Sequence, residues 1–447
     1  MNERGVRPSA AVTRFAQSAA GVLALDRVLE RLVASLSDSV EADRASLFIY
    51  DEAKDELWSK IAQGLDSETI RFPADRGLAG ACLRGGAIVN VPDAYADTRF
   101  NRAFDERTGY RTRSVLCVPI HGRDGRILGV IQVLNRRGGP FRPEDISLVA
   151  ELGAHAAVFV ENALLYERLA GLLDSFVEAC STAIDERDPT TSGHSYRVSL
   201  YAERAARAIH AETGGPFRNE RYTRERLRQL RYAALLHDIG KIGVPEAVLT
   251  KHTRLDGSSW TTVEERYGRF AAERPAAAEE LKAELEALRR LNDAGRISDE
   301  ELALVEAAHE NGRLTDAERE ELSAKRGNLT DAEWAEMRSH VERGVRILRK
   351  IRWSGELDGV PDLAGLHHEK LSGRGYPAGI EAESLPLDAR ILAVVDIYEA
   401  LTAQDRPYRR AMPHEKAAAI LRDGAGKGDL DPDVVEVFLR TVNGPEG

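Results

Sequence analysis

The residues best placed to do chemistry in this chain are histidines and carboxylates that interrupt apolar runs. His237 and Asp238 stand side by side after Leu235-Leu236, with Leu227, Leu230, Ala234 and His237 at spacings of three and four, on one helix face. Gly240 reads as the C-terminal stop of that helix. A charge that faces a core needs a partner or a metal. Adjacent His and Asp offer a neutral nitrogen and a hard oxygen, and Lys241 adds a cation suited to phosphate. His194 falls in the first turn of a helix carrying Val198, Tyr201, Ala202, Ala205 and Ile209, with Ser192 or Ser195 as its cap. His340 borders the amphipathic pattern Trp334, Met337, Val341, Gly344, Leu348, and His367-His368-Glu369 precedes the turn Gly373-Arg374-Gly375-Tyr376-Pro377. Asp396 lies in Ile391–Tyr398, with Leu392 and Ala400 four residues to either side.

Taken singly, each of these is more simply a satisfied core histidine or a solvated carboxylate. Together, His194, His237, Asp238, His340, His367, His368 and Asp396 suit a two-metal site with Asp238 bridging. Imidazole and carboxylate without thiolate suit Fe, Mn, Zn or Ni. Two ions roughly 3.5–4 Å apart clamp a phosphoryl group for in-line attack and lower the pKa of water to about 7.

The elements that must position these residues come from a chain of 447 residues with 43% hydrophobic content, enough for several cores. A net charge of −11 argues against partnership with long nucleic acid. Cys82, Cys117 and Cys180 are far apart and read as buried thiols in a reducing compartment. No 18-residue run is wholly apolar and Met1–Gly5 lacks a signal-peptide core, so a cytoplasmic protein without a membrane partner is expected.

After a tail of residues 1–21, residues 22–147 read as α+β. Leu25, Val28, Leu29, Leu32 and Leu36 share a helix face; Ala45–Tyr50, Ser114–Ile120 and Ile127–Asn135 are strand-like, the last two joined through Asp124-Gly125 as a hairpin. Gly77-Leu78-Ala79-Gly80, Val91-Pro92-Asp93-Ala94 and the hairpin ending at Asn135 resemble a GAF sensory domain. Asn135-Arg136, Phe141 and Asp145, with Phe100, Asn101, Thr108, Gly109, Tyr110 and Thr112, are similar to the GAF domains that bind cyclic nucleotides. That resemblance implies a small-molecule pocket with a cyclic nucleotide as ligand. Arg136 stands where that subgroup has Lys, and Ile146 where it has Glu; a GAF fold used only for dimerisation is the other reading.

Pro143 and Glu144 open a long helix. Leu148, Leu152, His155, Phe159, Asn162, Tyr166, Leu169, Leu173, Phe176 and Cys180 alternate at spacings of four and three, the seam of a coiled coil over residues 148–182, with Asn162 setting register in a parallel homodimer. A helix packed on its own domain is the simpler alternative.

Residues 183–447 read as all-α. Asp188–Ser195, His237–Pro245, His367-His368-Glu369, Gly373–Pro377 and Arg406-Pro407-Tyr408-Arg409, in this order, resemble the HD-GYP family of the HD phosphohydrolase superfamily. The resemblance implies hydrolysis of cyclic di-GMP to pGpG and onward to GMP, with iron or manganese held by His194, His237, Asp238, His340, His367, His368 and Asp396. It also implies phosphate contact by Lys241, Arg406 and Arg409, and a guanine pocket shaped by Gly375 and Tyr376. Three departures stand out. Thr190 replaces the Glu that supports a third metal, Glu399 replaces an Asp, and the segment before Arg406 is one residue longer. A cyclic-dinucleotide receptor with poor turnover, or an enzyme for another cyclic dinucleotide, are the competing readings.

The family pattern is interrupted over residues 256–326. Three capping boxes, Ser298 with Glu301, Thr315 with Glu318 and Thr330 with Glu333, mark successive helix starts. Leu281, Leu285, Leu288 and Leu291 form a stripe on a preceding helix, read as a solvated hairpin, a lid or a partner surface.

Overall fold

The computed structural model describes residues 25–59, 70–188, 193–324, 327–403 and 411–442. The chain divides into two units, Met1–Leu173 and Asp174–Gly447.

The first unit is built on six strands: β1 (Ala42–Asp51), β2 (Glu56–Ser59), β3 (Ile70–Pro73), β4 (Val89–Val91), β5 (Val115–His121) and β6 (Ile127–Arg136). They form one antiparallel sheet in the order β3-β2-β1-β6-β5-β4. Period-two alternation splits the strand side chains between two cores. Ala45, Leu47 and Ile49 of β1, with Leu116, Val118 and Ile120 of β5, face the helix Leu25–Ser39 and the start of the helix Pro143–Asp185. Phe48, Val115, Cys117 and Val130 face the helix Gly77–Gly85. The expected hairpin is present, its turn closed by Gly125 at φ 80°.

Asn135 shows why the sheet ends as it does. It is buried at φ 54°. Its Oδ1 accepts the backbone N–H groups of Arg113 (2.6 Å) and Ser114 (3.3 Å), and its Nδ2 donates to Tyr110 Oη (2.8 Å) and the Arg111 carbonyl (2.9 Å). Arg136 pairs with Asp145 at 2.7 Å, pinning the strand end to the start of the long helix.

That helix, Pro143–Asp185, is uninterrupted. Of the expected seam, Leu148, Leu152 and Phe159 are taken up by the helix's own sheet, while Asn162, Tyr166, Leu169 and Phe176 stay on the exposed face. Leu152 is fully buried, and Leu148 and Phe159 pack on the sheet with Val149, Ala156 and Val160. These residues belong to the core of the first unit. The face left open carries Val158, Leu165, Tyr166, Leu169, Leu172 and Phe176, with Leu169 61% and Leu172 67% exposed. By length and composition the helix could also cross a membrane; packing of its first half on the sheet accounts for most of that half's apolar residues.

The second unit is helical. Its core takes Val198, Ala202 and Ala205 from the helix His194–Ala211, Leu230 and Ala233 from Arg224–Leu236, Ile391, Val394 and Val395 from Leu387–Thr402, and Val434 and Phe438 from Pro432–Val442. The block between residues 256 and 326 is more than a hairpin. The helices Gly257–Glu273, Ala278–Asn292, Asp299–Glu310 and Asp316–Leu322 enclose their own core of Trp260, Val263, Leu288, Leu291, Val305 and Leu322. All three capping boxes are formed. Arg254 is fully buried beside this core and donates to the carbonyls of Leu291 (2.6 Å), Ala294 and Ala324 (3.1 Å).

Candidate metal centre

Five elements of the second unit deliver the expected ligands to one place. His194 is the first residue of its helix, His237 the residue after Leu236, and His340 the first residue of the helix His340–Leu348. His367 and His368 follow the short helix Val360–Ala364, and Asp396 lies within Leu387–Thr402. All are buried except His368, which is half-buried. Their donor atoms fall into overlapping groups: His194, His237 and Asp396; His237, Asp238 and His367; His340, His367 and His368. Within each group the atoms lie inside 4.8 Å of one another.

Asp238 joins the groups. Its Oδ1 is 3.4 Å from His340 Nε2, while its Oδ2 is 3.4 Å from His237 Nε2 and 3.9 Å from His194 Nε2. Asp396 Oδ1 lies 3.2 Å from His194 Nε2 and 3.9 Å from His237 Nε2.

The tautomers are set from behind. His237, His340 and His367 each turn Nδ1 to the carbonyl three residues earlier: Ala234 (2.7 Å), Met337 (2.7 Å) and Ala364 (2.8 Å). A neutral imidazole that donates from Nδ1 presents a lone pair at Nε2. His340 Nε2 and His367 Nε2 then face each other at 3.5 Å, two lone pairs with no proton between them. A shared cation resolves that opposition, so the donor set fits divalent metal ions.

The electrostatics agree. Burial and neighbouring imidazoles push His367 well below the usual histidine range and His368 to about 4, and burial lowers His340, so these three are neutral at pH 7. Burial opposes charge on Asp238 and Asp396. Lys241 and His237 outweigh it for Asp238, and His194 for Asp396, and both carboxyls stay well below their ordinary range. Burial likewise disfavours the charge on His194, yet its bonds to Asp396 and Glu399 carry it up to about 9.

Lys241 reaches Asp238 Oδ2 at 2.9 Å and Asp188 Oδ2 at 3.3 Å, where burial is overcome by the two carboxylates and its pKa rises. Gly240 serves a different purpose from the expected helix stop. A Cβ there would collide with the backbone of His340 and Gly344, so glycine allows the Ile239–Gly243 turn to touch the helix bearing His340. Gly375 is similar: a Cβ would lie 2.5 Å from Glu369 Cα and 2.7 Å from the His368 carbonyl. That crossing places Tyr376 on His368, with ring centroids 4.6 Å apart, and Arg338 lies 4.4 Å above the Tyr376 ring. Arg406, Arg409 and Thr190 lie outside the described residues.

Several contributors had no role assigned from sequence. Buried Glu369, third in the His-His-Glu run, accepts the N–H groups of Ala378 (2.7 Å), Gly379 (3.2 Å) and Ile380 (3.1 Å) and so folds the loop after Tyr376. Ser195 is within the helix rather than its cap, and its hydroxyl donates to Asp185 at the end of the long helix (3.0 Å). Glu399 contacts His194 Nδ1 and accepts from Arg197 Nε at 2.7 Å. Sequence marked it only as a family position where Asp is usual, three residues after Asp396 on the same helix face.

In the first unit a cavity of about 270 Å³ is lined by Phe48, Phe72, Phe100 and Phe104 together with Arg44, Arg71, Arg76 and Arg107. Asp105 also lines it, but its carboxylate is taken up by Thr112 and Tyr95.

Residues 24–160 match the family described as GAF domain. Residues 191–332 and 300–434 match two families described as HD domain. A protein of Vibrio cholerae named 3'3'-cGAMP-specific phosphodiesterase 3 is 27% identical over 271 residues, 61% of this chain and 39% of that one. A cyclic di-GMP phosphodiesterase of the same species is 41% identical over 119 residues, 26% of this chain and 24% of that one. This chain thus spans well under half the length of these relatives. Among solved structures, the GAF domain of an Acinetobacter phosphoenolpyruvate-protein phosphotransferase is 22% identical, covering 35% of this chain and 95% of its own, with a TM-score of 0.31.

Proposed function

From a chain that carries a GAF domain followed by an HD domain, we propose a metal-dependent phosphodiesterase that hydrolyses cyclic di-GMP to linear pGpG and onward to GMP. The observation that carries this reading is the position of Asp238, whose two oxygens address separate histidine groups. His194, His237 and Asp396 would hold one divalent ion, His340, His367 and His368 a second, with Asp238 common to both; iron or manganese suits the set. Bound there, such ions supply Lewis acidity, neutralising phosphate charge and acidifying water.

The chain's own residues do the rest. Lys241 offers a fixed cation to a phosphoryl oxygen. Tyr376 gives a flat surface for guanine, with Arg338 above it for the phosphate or base edge, and Gly375 keeps that surface close to His368. The family resemblance adds Arg406 and Arg409 as phosphate contacts. The names of the two Vibrio cholerae relatives support a cyclic dinucleotide as substrate. The longer match is to the cGAMP-specific protein, which favours 3'3'-cGAMP as the second reading.

The first unit acts as sensor in this account. Four phenylalanines and four arginines around one cavity suit a planar anion such as a cyclic nucleotide. A single helix starts in the core of that unit and ends at Asp185, bonded to Ser195 beside His194, which supports coupling of the two. The exposed stripe from Val158 to Phe176 supports a parallel homodimer. Free Cys82, Cys117 and Cys180 support a reducing, cytoplasmic setting.

The test is anaerobic product analysis with reduced iron or Mn²⁺, offering cyclic di-GMP and 3'3'-cGAMP in separate reactions. Formation of pGpG from cyclic di-GMP supports the first reading. Cleavage confined to cGAMP selects the second. Tight binding without product would turn the protein into a receptor.

A further inference from the structure

We propose that Glu399, clamped by Arg197, is the positioning residue that fixes the tautomer of His194 and thereby creates the cation site on the His194 side of Asp238. The proposal rests on the reading of this cluster as a two-ion site.

The observation is an asymmetry among the histidines. His237, His340 and His367 satisfy Nδ1 with a carbonyl three residues back. The chain before each is helical: His237 follows the last turn of Arg224–Leu236, Ser339 before His340 is right-handed, and Gly365 continues the turn of Val360–Ala364. His194 has no such support. It opens its helix, and Gly193 before it is left-handed at φ 65°. A side chain from another helix does the work instead. Glu399 Oε2 takes the Nδ1 proton, and Glu399 Oε1 takes Arg197 Nε at 2.7 Å. The carboxylate is buried. With Nδ1 held by Glu399, Nε2 is the ring nitrogen turned to Asp396 Oδ1 (3.2 Å) and Asp238 Oδ2 (3.9 Å), the one that would exchange its proton for a cation.

The division of the two oxygens makes the glutamate hard to replace. Arg197 is a donor only. A glutamine at 399 has one oxygen, which Arg197 claims; its NH₂ then points at His194 Nδ1. An imidazole that must accept at Nδ1 carries its proton on Nε2, and a protonated Nε2 cannot ligate a metal. The group of His340, His367 and His368 does not touch this clamp and keeps its own carbonyl-set tautomers.

The measurement is equilibrium dialysis of the full chain against Mn²⁺, with bound metal read by plasma mass spectrometry. Wild type is expected to hold two ions. Glu399→Gln is expected to bind one ion as wild type does and the other about 10–100-fold more weakly, the usual effect of losing a residue that orients a ligand. Removing the competing donor as well, in Glu399→Gln/Arg197→Met, lets the amide rotate its oxygen to His194 and should recover most of the lost affinity. A residue that only packed the helices would make that double variant worse, not better. Glu399→Asp, which keeps an anion, should lie between wild type and the glutamine variant. If Glu399→Gln holds both ions at wild-type affinity, or the double variant binds less than the single one, the proposal is wrong. Wild type that binds fewer than two ions overturns the two-ion reading itself, and this proposal with it.

Discussion

The ring of Tyr376 packs against the imidazole of His368 at 4.6 Å between centroids, and the Arg338 guanidinium lies over the Tyr376 ring at 4.4 Å. A purine that entered this stack would compete with or extend it, and base stacking on an aromatic side chain is worth roughly 1–3 kcal/mol. Tyr376→Ala should therefore raise KM for cyclic di-GMP by roughly ten- to a hundredfold, change kcat less, and leave metal content intact. Arg338→Ala should also raise KM. Steady-state kinetics on metal-loaded protein check both, and an unchanged KM in both variants would remove guanine from this surface.

The loop that carries Tyr376 is tied down by Asp429. Its carboxylate accepts Ser372 Oγ at 2.6 Å and Arg374 Nη2 at 3.1 Å, and pairs with Lys370 at 3.0 Å. The bond from Ser372, and then the cations, hold its pKa at about 2, below the usual 3.8. The folded state therefore binds this proton more weakly than the unfolded chain, and the stabilisation is complete above the unfolded pKa and lost as pH falls through the folded one. The difference in Tm between wild type and Asp429→Asn should be constant from neutral pH to about 4 and shrink between about 4 and 2. A difference that grew on acidification would contradict the assignment.

Leu169 and Phe176 lie seven residues apart on the open face of the long helix. In a coiled-coil dimer both would be buried against a second copy. Replacing both with glutamate should convert a dimer to a monomer, read by light scattering after size exclusion, while the fold of the first unit persists. Equal mass for both proteins would contradict the dimer.

Arg254 supplies donors to three carbonyls where the helices of the 256–326 block meet. Arg254→Met withdraws them at a cost of about 1–3 kcal/mol. Hydrogen exchange should quicken across residues 257–322 and stay unchanged in the sheet of the first unit; equal protection in both proteins would show that the guanidinium holds nothing.

Much of this was legible in sequence because ligand chemistry is carried by residue type. His194, His237, Asp238, His340, His367, His368 and Asp396 stand out from apolar surroundings, and the structure brings all seven together. The capping boxes were equally readable, since each depends on residues three apart. The point at which the long helix leaves its own sheet was not. The helix carries two apolar stripes, one filled by its own sheet and one left open, and periodicity reports only that both exist. The tasks of Glu369 and Glu399 were also hidden, because each is defined by partners distant in sequence. Gly240 was misread for a related reason: its need for no side chain comes from the neighbouring helix, not from its own backbone angles.

The most direct test of the whole account is the metal content of the purified chain beside that of Asp238→Ala. If Asp238 is shared by two ions, wild type prepared without oxygen should carry two irons or manganese ions per chain, and the variant should lose both together with hydrolysis of cyclic di-GMP. A variant that kept its metal, or a wild-type chain that turned over the substrate with none, would contradict the account at its centre.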